Sequence, residues 1–209
     1  IGLPTLQGYG LTETSPVVSC NSIEDIRVET VGPPFEGNLV KISDDGEILV
    51  KGENVMLGYW KNEEETNKVL KNGWLYTGDI GEFDGKFLKI TDRKKDIIIT
   101  TGGDNISPVK IENDLNKSNF IEQSLVYGDS KPYLVSLIIL SLEHKNISKE
   151  KIQQEIQKIN LDLTKIEKIK KFIIIKDQFT IENNMMTPTL KLKRYKIIKK
   201  YKLELEKLF

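Results

Sequence analysis

Two kinds of apolar spacing divide the chain. Up to about residue 91, apolar residues come in short runs broken by turn dipeptides. "NLVKI" (38–42) and "EILVKG" (47–52) flank Asp45-Gly46, and "WLYTGDIGEFDGKFLKIT" (74–91) folds its two halves around Asp84-Gly85. An Asp-Gly pair between apolar runs is a strong hairpin signal. "NEEETNKVLKNG" (62–73) predicts a short helix, with Asn62 as N-cap, three glutamates in its first turn and Gly73 ending it. Residues 1–20 have no helical period and predict a loop with short flanking strands. Residues 31–91 therefore predict a small twisted sheet or barrel.

Beyond Lys95 the pattern changes. "DIIITTGGDNISP" (96–108) predicts a hairpin, and Ser107-Pro108 opens a helix that carries Val109, Ile111 and Leu115 towards one side. "QSLVYG" and "YLVSLIIL" predict strands, the second apolar enough to be central. Ile152, Ile156, Ile159, Leu163, Ile166 and Ile169 recur every three or four residues and predict a helix over 148–170 with its stripe against a sheet. "KFIIIK" predicts another strand, and 193–209 a last amphipathic helix. The second half is thus a small α+β domain.

Charge sharpens the division. Residues 1–92 hold 8 basic and 16 acidic residues, a net −8, and residues 93–209 hold 23 and 15, a net +8. A basic second body suits an anionic ligand. Lone Cys20 and lone His144 exclude an intrachain disulfide and a multi-histidine or cysteine metal centre, and the cysteine usage fits a reducing compartment. Chemistry must rest on carboxylates, lysines, hydroxyls and backbone. No apolar run reaches the roughly 18 residues of a membrane span. The start at Ile1 reads as the middle of a longer protein.

Four segments carry candidate chemistry. In "GYGLTETSP" (8–16), Gly8 and Gly10 let backbone approach a ligand around Tyr9, Thr12 can reach phosphate oxygens, and Glu13 can hold a hard cation. In "YTGD" (76–79), Asp79 follows a tight turn and can accept from a ribose diol. "DRKKDIIITTGGDN" (92–105) brings Arg93 near that carboxylate in sequence and ends in Gly102-Gly103. "TPTLKLKRYK" (187–196) offers Lys191, Lys193 and Arg194. Each alone also fits an ordinary polar turn.

Their order resembles the adenylate-forming superfamily of acyl-CoA synthetases, peptide-synthetase adenylation domains and luciferases. "GYGLTET" is similar to its Tyr-Gly-x-Thr-Glu motif. "GWLYTGDIGEFDGKFLKITDRKKDIII" follows its GW-x-x-TGD and D-R-x-K-D-x-I elements, and "GGDNISPVKIEN" its G-x-N-x-x-P-x-x-IE continuation. "TPTLKLKR" resembles the lysine motif of long-chain acyl-CoA synthetases. The resemblance implies a mixed α/β and α+β chain: residues 1–92 as the C-terminal portion of the AMP-binding large domain, 93–95 as a hinge, and 96–209 as a small mobile C-terminal domain. The family's phosphate loop and most of its acyl pocket would lie upstream.

It implies a two-step ligase that uses ATP, Mg2+ and coenzyme A on a fatty acid. Tyr9 would stack on adenine between Gly8 and Gly10, Thr12 would contact the α-phosphate and Glu13 would bind Mg2+. Asp79, helped by Arg93, would hold the ribose. Lys95 matches the hinge, Lys191 best matches the catalytic lysine, and Gly102 and Gly103 would border the pantetheine channel. Leu190 stands where the family usually has Gly, which leaves Lys193 as an alternative to Lys191. A carrier-protein acceptor, a smaller acid, or a nucleotide-binding fragment inactive by itself are the other readings. The expected setting is cytoplasmic with peripheral membrane contact, and no nucleic acid.

Overall fold

In the computed structural model, residues 5–209 are described, and they form two compact units, one ending at Lys95 and the other Asp96–Phe209. Among the described residues no helix is long and apolar enough to cross a membrane.

In the first unit, short strands β1 (Gly8–Tyr9) and β2 (Ser19–Cys20) pair around a turn of 3-10 helix at Thr12–Thr14. Hairpin β3 (Leu39–Ile42) and β4 (Glu47–Lys51) turns at Asp45-Gly46, where Gly46 has φ +83°. Helix α1 (Glu63–Val69) starts as predicted, with the Asn62 side chain accepting from the Glu65 N–H at 3.2 Å. It ends earlier than predicted. Residues Leu70–Lys71 form β5, which pairs with the start of β6 (Trp74–Asp84). Asn72 and Gly73 between them both have positive φ, +53° and +77°. Asn-Gly here makes the two-residue hairpin turn that needs two left-handed residues, so Gly73 is a turn residue and not a helix stop.

Long β6 pairs with β4 along one side and, along the other, with β5 at its start and with β7 (Phe87–Arg93) after the Asp84-Gly85 turn. Its register slips against both β4 and β7 near Ile80. Such irregularities bend a strand, and the five-stranded sheet curls around a core of Val18, Ile48, Val50 and Leu88.

In the second unit, β8 (Ile98–Ile99) and β9 (Asn105–Ile106) form the predicted hairpin, and the Ser107 side chain caps α2 (Pro108–Asn116). Strands β10 (Ile121–Tyr127), β11 (Leu134–Leu140) and β12 (Ile169–Ile175) form a sheet with β11 in the middle. Alternate β11 side chains serve opposite faces. Leu134 and Ile138 meet Ile111 and Leu115 of α2 and Ile152 and Ile156 of α3 (Lys149–Ile159). Val135, Leu137 and Ile139 meet Ile197, Tyr201 and Leu205. Burial on both faces explains its unbroken apolar run.

Three helix expectations are corrected. Val109 faces solvent, because only Ile111 and Leu115 of its helix reach the core. The helix over 148–170 stops at Ile159. The Asn160 side chain accepts from the N–H of Ile169 and donates to its carbonyl, both at 2.9 Å, and so ties the helix end to the start of β12. The tail forms two pieces, α4 (Arg194–Lys200) and α5 (Lys202–Glu206), separated at buried Tyr201.

Candidate active site

In the first unit, the glycines and threonines of "GYGLTET" divide their work. A Cβ on Gly10 would fall 1.6 Å from the Pro16 carbonyl oxygen, so only glycine lets the loop close there. Buried Thr14 scaffolds the loop: its hydroxyl accepts from the Leu11 N–H at 2.9 Å and reaches the carbonyls of Leu11 and Pro16. Thr12 is left exposed. The Glu13 carbonyl accepts from the Met56 N–H at 2.8 Å, and its Oε1 accepts from the Tyr59 hydroxyl at 2.8 Å. That hydrogen bond raises the Tyr59 pKa. The Thr66 hydroxyl of α1 accepts from the Tyr59 N–H at 2.9 Å, so α1 sets the position of Tyr59. Sequence reading missed Tyr59, because it lies 46 residues from Glu13 and no spacing rule joins them.

Asp79 is 4% exposed and takes a donor on each oxygen. The Tyr9 hydroxyl donates to Oδ2 at 2.8 Å, and Arg93 Nε lies 3.2 Å from Oδ1. Burial, with the adjacent Asp79 charge, raises the Tyr9 pKa. Arg93 reaches Asp79 because the two residues are cross-strand partners of β6 and β7. Thr77 and Gly78 shape the turn before Asp79, and Gly78 sits at φ +72°. A cleft of about 380 Å³ beside this turn is lined by Thr77, Gly78, Arg93, Lys94 and Lys95. The Lys94 ammonium is paired with Asp45 and Glu47, which leaves Arg93 and Lys95 as the cations that suit an anionic occupant.

In the second unit, Gly102 and Gly103 form the exposed turn between β8 and β9, with Gly103 at φ +84°. Lys191 lies on a separate hairpin. The Thr187 N–H donates to the Lys191 carbonyl at 2.8 Å, and Met186 pairs with Leu192. Pro188 leads the turn, and Leu190 closes it at φ +60°. A three-residue hairpin loop of this form ends in a left-handed residue, which is why glycine suits position 190. Exposed Lys191 has no ion pair or hydrogen bond on its ammonium among the described residues, whereas the Lys193 ammonium donates to Asn184 Oδ1 at 2.5 Å. Arg194 anchors the end of the hairpin. Its Nη1 donates to both Glu112 oxygens at 2.7 and 2.8 Å, and its Nη2 to the Val126 carbonyl at 2.6 Å. Both partners lie in motifs already singled out, yet their pairing across 82 residues carried no sequence signal.

Residues 95–209 match the family described as AMP-binding enzyme C-terminal domain, and residues 1–60 match that described as AMP-binding enzyme. The chain belongs to the adenylate-forming AMP-binding enzymes. Among AMP-binding relatives, a long-chain-fatty-acid–CoA ligase of Mycobacterium bovis is 36% identical over 230 residues, which cover 100% of this chain and 38% of that protein. A chloroplastic long-chain-fatty-acid–[acyl-carrier-protein] ligase of Arabidopsis thaliana is 33% identical over 241 residues, covering 100% and 33%. The O-succinylbenzoate coenzyme A synthetase of Bacillus subtilis, solved with ATP and magnesium ion, superposes with a TM-score of 0.73 at 30% identity, covering 93% of this chain and 41% of that one. The chain thus spans about two fifths or less of the length of these AMP-binding proteins.

The residues present fit the ligands of an AMP-binding enzyme. Each Asp79 oxygen keeps a lone pair after its protein hydrogen bond, enough for a ribose diol. The second Glu13 oxygen has no hydrogen bond among the described residues, where no group of three His, Cys, Asp or Glu side chains converges as a metal centre. Magnesium often binds one or two carboxylates together with phosphate oxygens and water, so a single Glu13 suffices.

Proposed function

We propose that this chain works within an ATP-dependent long-chain fatty acid:CoA ligase. A fatty-acid carboxylate oxygen attacks the α-phosphorus of ATP and pyrophosphate leaves. A thiol sulfur then attacks the acyl carbon, and AMP leaves with the electron pair of the broken C–O bond. In this reading Asp79 and Arg93 hold the ribose, Tyr9 lies against adenine and Thr12 meets the α-phosphate. Glu13 holds Mg2+, which when bound offsets phosphate charge. Lys191 stabilises charge developing on the carboxylate and α-phosphate. Lys95 is the hinge between residues 1–92 and 96–209, and Gly102 and Gly103 border the thiol path. The fatty acid is supported by the names of the relatives, and it makes peripheral membrane contact a natural companion.

The observation that carries this reading is the Lys191 ammonium, presented by a hairpin and engaged by no group among the described residues, while that of Lys193 is engaged. Pyrophosphate exchange in the full-length protein tests it. Lys191→Ala lowers exchange by about 10²–10³-fold, the loss typical of removing one preorganised donor, while transfer from preformed acyl-adenylate survives. If Lys193→Ala has that effect and Lys191→Ala does not, the assignment falls. The chloroplastic relative supports a second reading, in which the thiol belongs to an acyl-carrier protein. Coenzyme A and a phosphopantetheinyl carrier, offered in parallel with a panel of acids, separate the two.

A further inference from the structure

Glu47 is a buried charged residue of the first unit that the mechanism above leaves unused, and it is 4% exposed. Its two oxygens face different structures. Oε1 accepts from the Gly78 N–H at 2.8 Å, at the turn that delivers Asp79. Oε2 accepts from Lys94 Nζ at 2.8 Å, one residue before Lys95. Lys94 Nζ also lies 2.6 Å from Asp45 Oδ2, and Ser43 Oγ donates to Asp45 Oδ1 at 2.6 Å. All of these groups belong to residues 43–47 at the β3–β4 turn, to the Gly78 turn, or to Lys94. The pair moves both partners. Lys94 and Ser43 hold the Asp45 pKa down to about 2, and Asp45 and Glu47 raise that of Lys94. The Lys95 side chain, one position on, is exposed and has no such partner among the described residues.

We propose that Asp45, Glu47 and Lys94 form a clamp that pins the chain immediately before the hinge, and that Glu47 couples the pivot to the ribose-holding turn. This inference rests on the function proposed above. A swinging domain needs a fixed near end, since slack before the pivot spreads the rotation over several residues and loosens the end point. A small misplacement at the reacting atoms costs rate heavily, and residues that define a hinge act on rate from a distance. Glu47 and Lys94 are thus positioning residues. Neither touches substrate.

The two half-reactions of the full-length protein test this, with pyrophosphate exchange reporting adenylation and single-turnover thioester formation from preformed acyl-adenylate reporting the second step. Lys94→Met keeps the aliphatic stem and removes the charge. It slows thioester formation by about tenfold while exchange changes by less than about twofold, a split that general destabilisation does not produce. Lys94→Arg restores the second step. Glu47→Gln slows the same step and also raises the KM for ATP, because it alone touches the Gly78 turn. If Lys94→Met lowers both half-reactions equally, or neither, the clamp is refuted. If Glu47→Gln leaves the KM for ATP unchanged, the coupling to the ribose turn is refuted. Lys191→Ala is assayed alongside. A normal exchange rate in that variant refutes the underlying functional reading, whereas its collapse beside an unaffected Lys94→Met refutes the clamp alone.

Discussion

Leu190 holds φ at +60° with 67% of its surface exposed. A branched apolar side chain gains little from that exposure, and the left-handed backbone costs an L-residue roughly 1–2 kcal/mol. The conformation persists because Thr187 surrounds the turn with three hydrogen bonds. Its N–H donates to the Lys191 carbonyl at 2.8 Å, its carbonyl accepts from the Leu190 N–H at 2.9 Å, and its hydroxyl accepts from the Lys191 N–H at 3.0 Å. Leu190→Gly therefore relieves strain without removing a contact the hairpin needs, and stabilises the protein by about 1 kcal/mol. Urea unfolding followed by circular dichroism reads this directly. An unchanged or lowered midpoint would show that the leucine side chain contributes more than its exposure suggests. Residue by residue, Tyr9, Glu13, Asp79, Arg93 and Lys191 could be named as candidates from the sequence because each sits in a short motif, and the structure brings Tyr9, Asp79 and Arg93 together. Tyr59 and Glu47 could not be named, because each meets its partners only through strand and loop packing.

Between elements, the ion pair of Arg194 and Glu112 joins the start of α4 to α2 and to the end of β10. Its side chains are 10% and 7% exposed, and Glu112 Oε1 also accepts from the Val126 N–H at 2.6 Å. Removing one member of such a pair strands the other charge in a dry site. Arg194→Met should accordingly cost about 3 kcal/mol, measured by guanidinium unfolding, and should raise hydrogen exchange over the Lys191 hairpin. A loss within experimental error would mean that the carboxylate finds water or another donor without Arg194. The same scale explains where the pattern of apolar residues misled. The hairpins at Asp45-Gly46 and Asp84-Gly85 and the cap at Ser107 were legible because turn chemistry is local. The stripe over 148–170 continued in period past Ile159, yet Asn160 diverts the chain to β12 through two hydrogen bonds to Ile169. Leu163 and Ile169 still reach the core, from outside any helix. Asn72-Gly73 carried a hairpin signal that the preceding helical pattern masked.

For the molecule as a whole, the change of sign in charge, the change of apolar spacing and the division into two compact units all fall near residues 92–96. The proposed hinge at Lys95 lies at the end of the first unit, on a turn of 3-10 helix at Lys94–Asp96. Lys95→Pro fixes φ near −65° and restricts the preceding residue. It should impair thioester formation more than adenylation, as read by the two half-reactions measured separately. Equal loss of both would count against rotation at that residue. Motif order revealed the family because the motifs run the length of the chain.

The fork of Glu47 has one more consequence. Its partners, Gly78, Lys94 and the neighbouring Asp45, all precede Asp96, and the Arg194–Glu112 pair lies wholly after it. A seam cut between Lys95 and Asp96 separates none of these groups, whereas one cut two residues earlier strands Glu47 and Asp45 opposite a foreign side chain. For anyone grafting this carboxyl-terminal module onto a different adenylate-forming protein, the tolerance of the splice is set less by the linker itself than by a carboxylate almost fifty residues upstream.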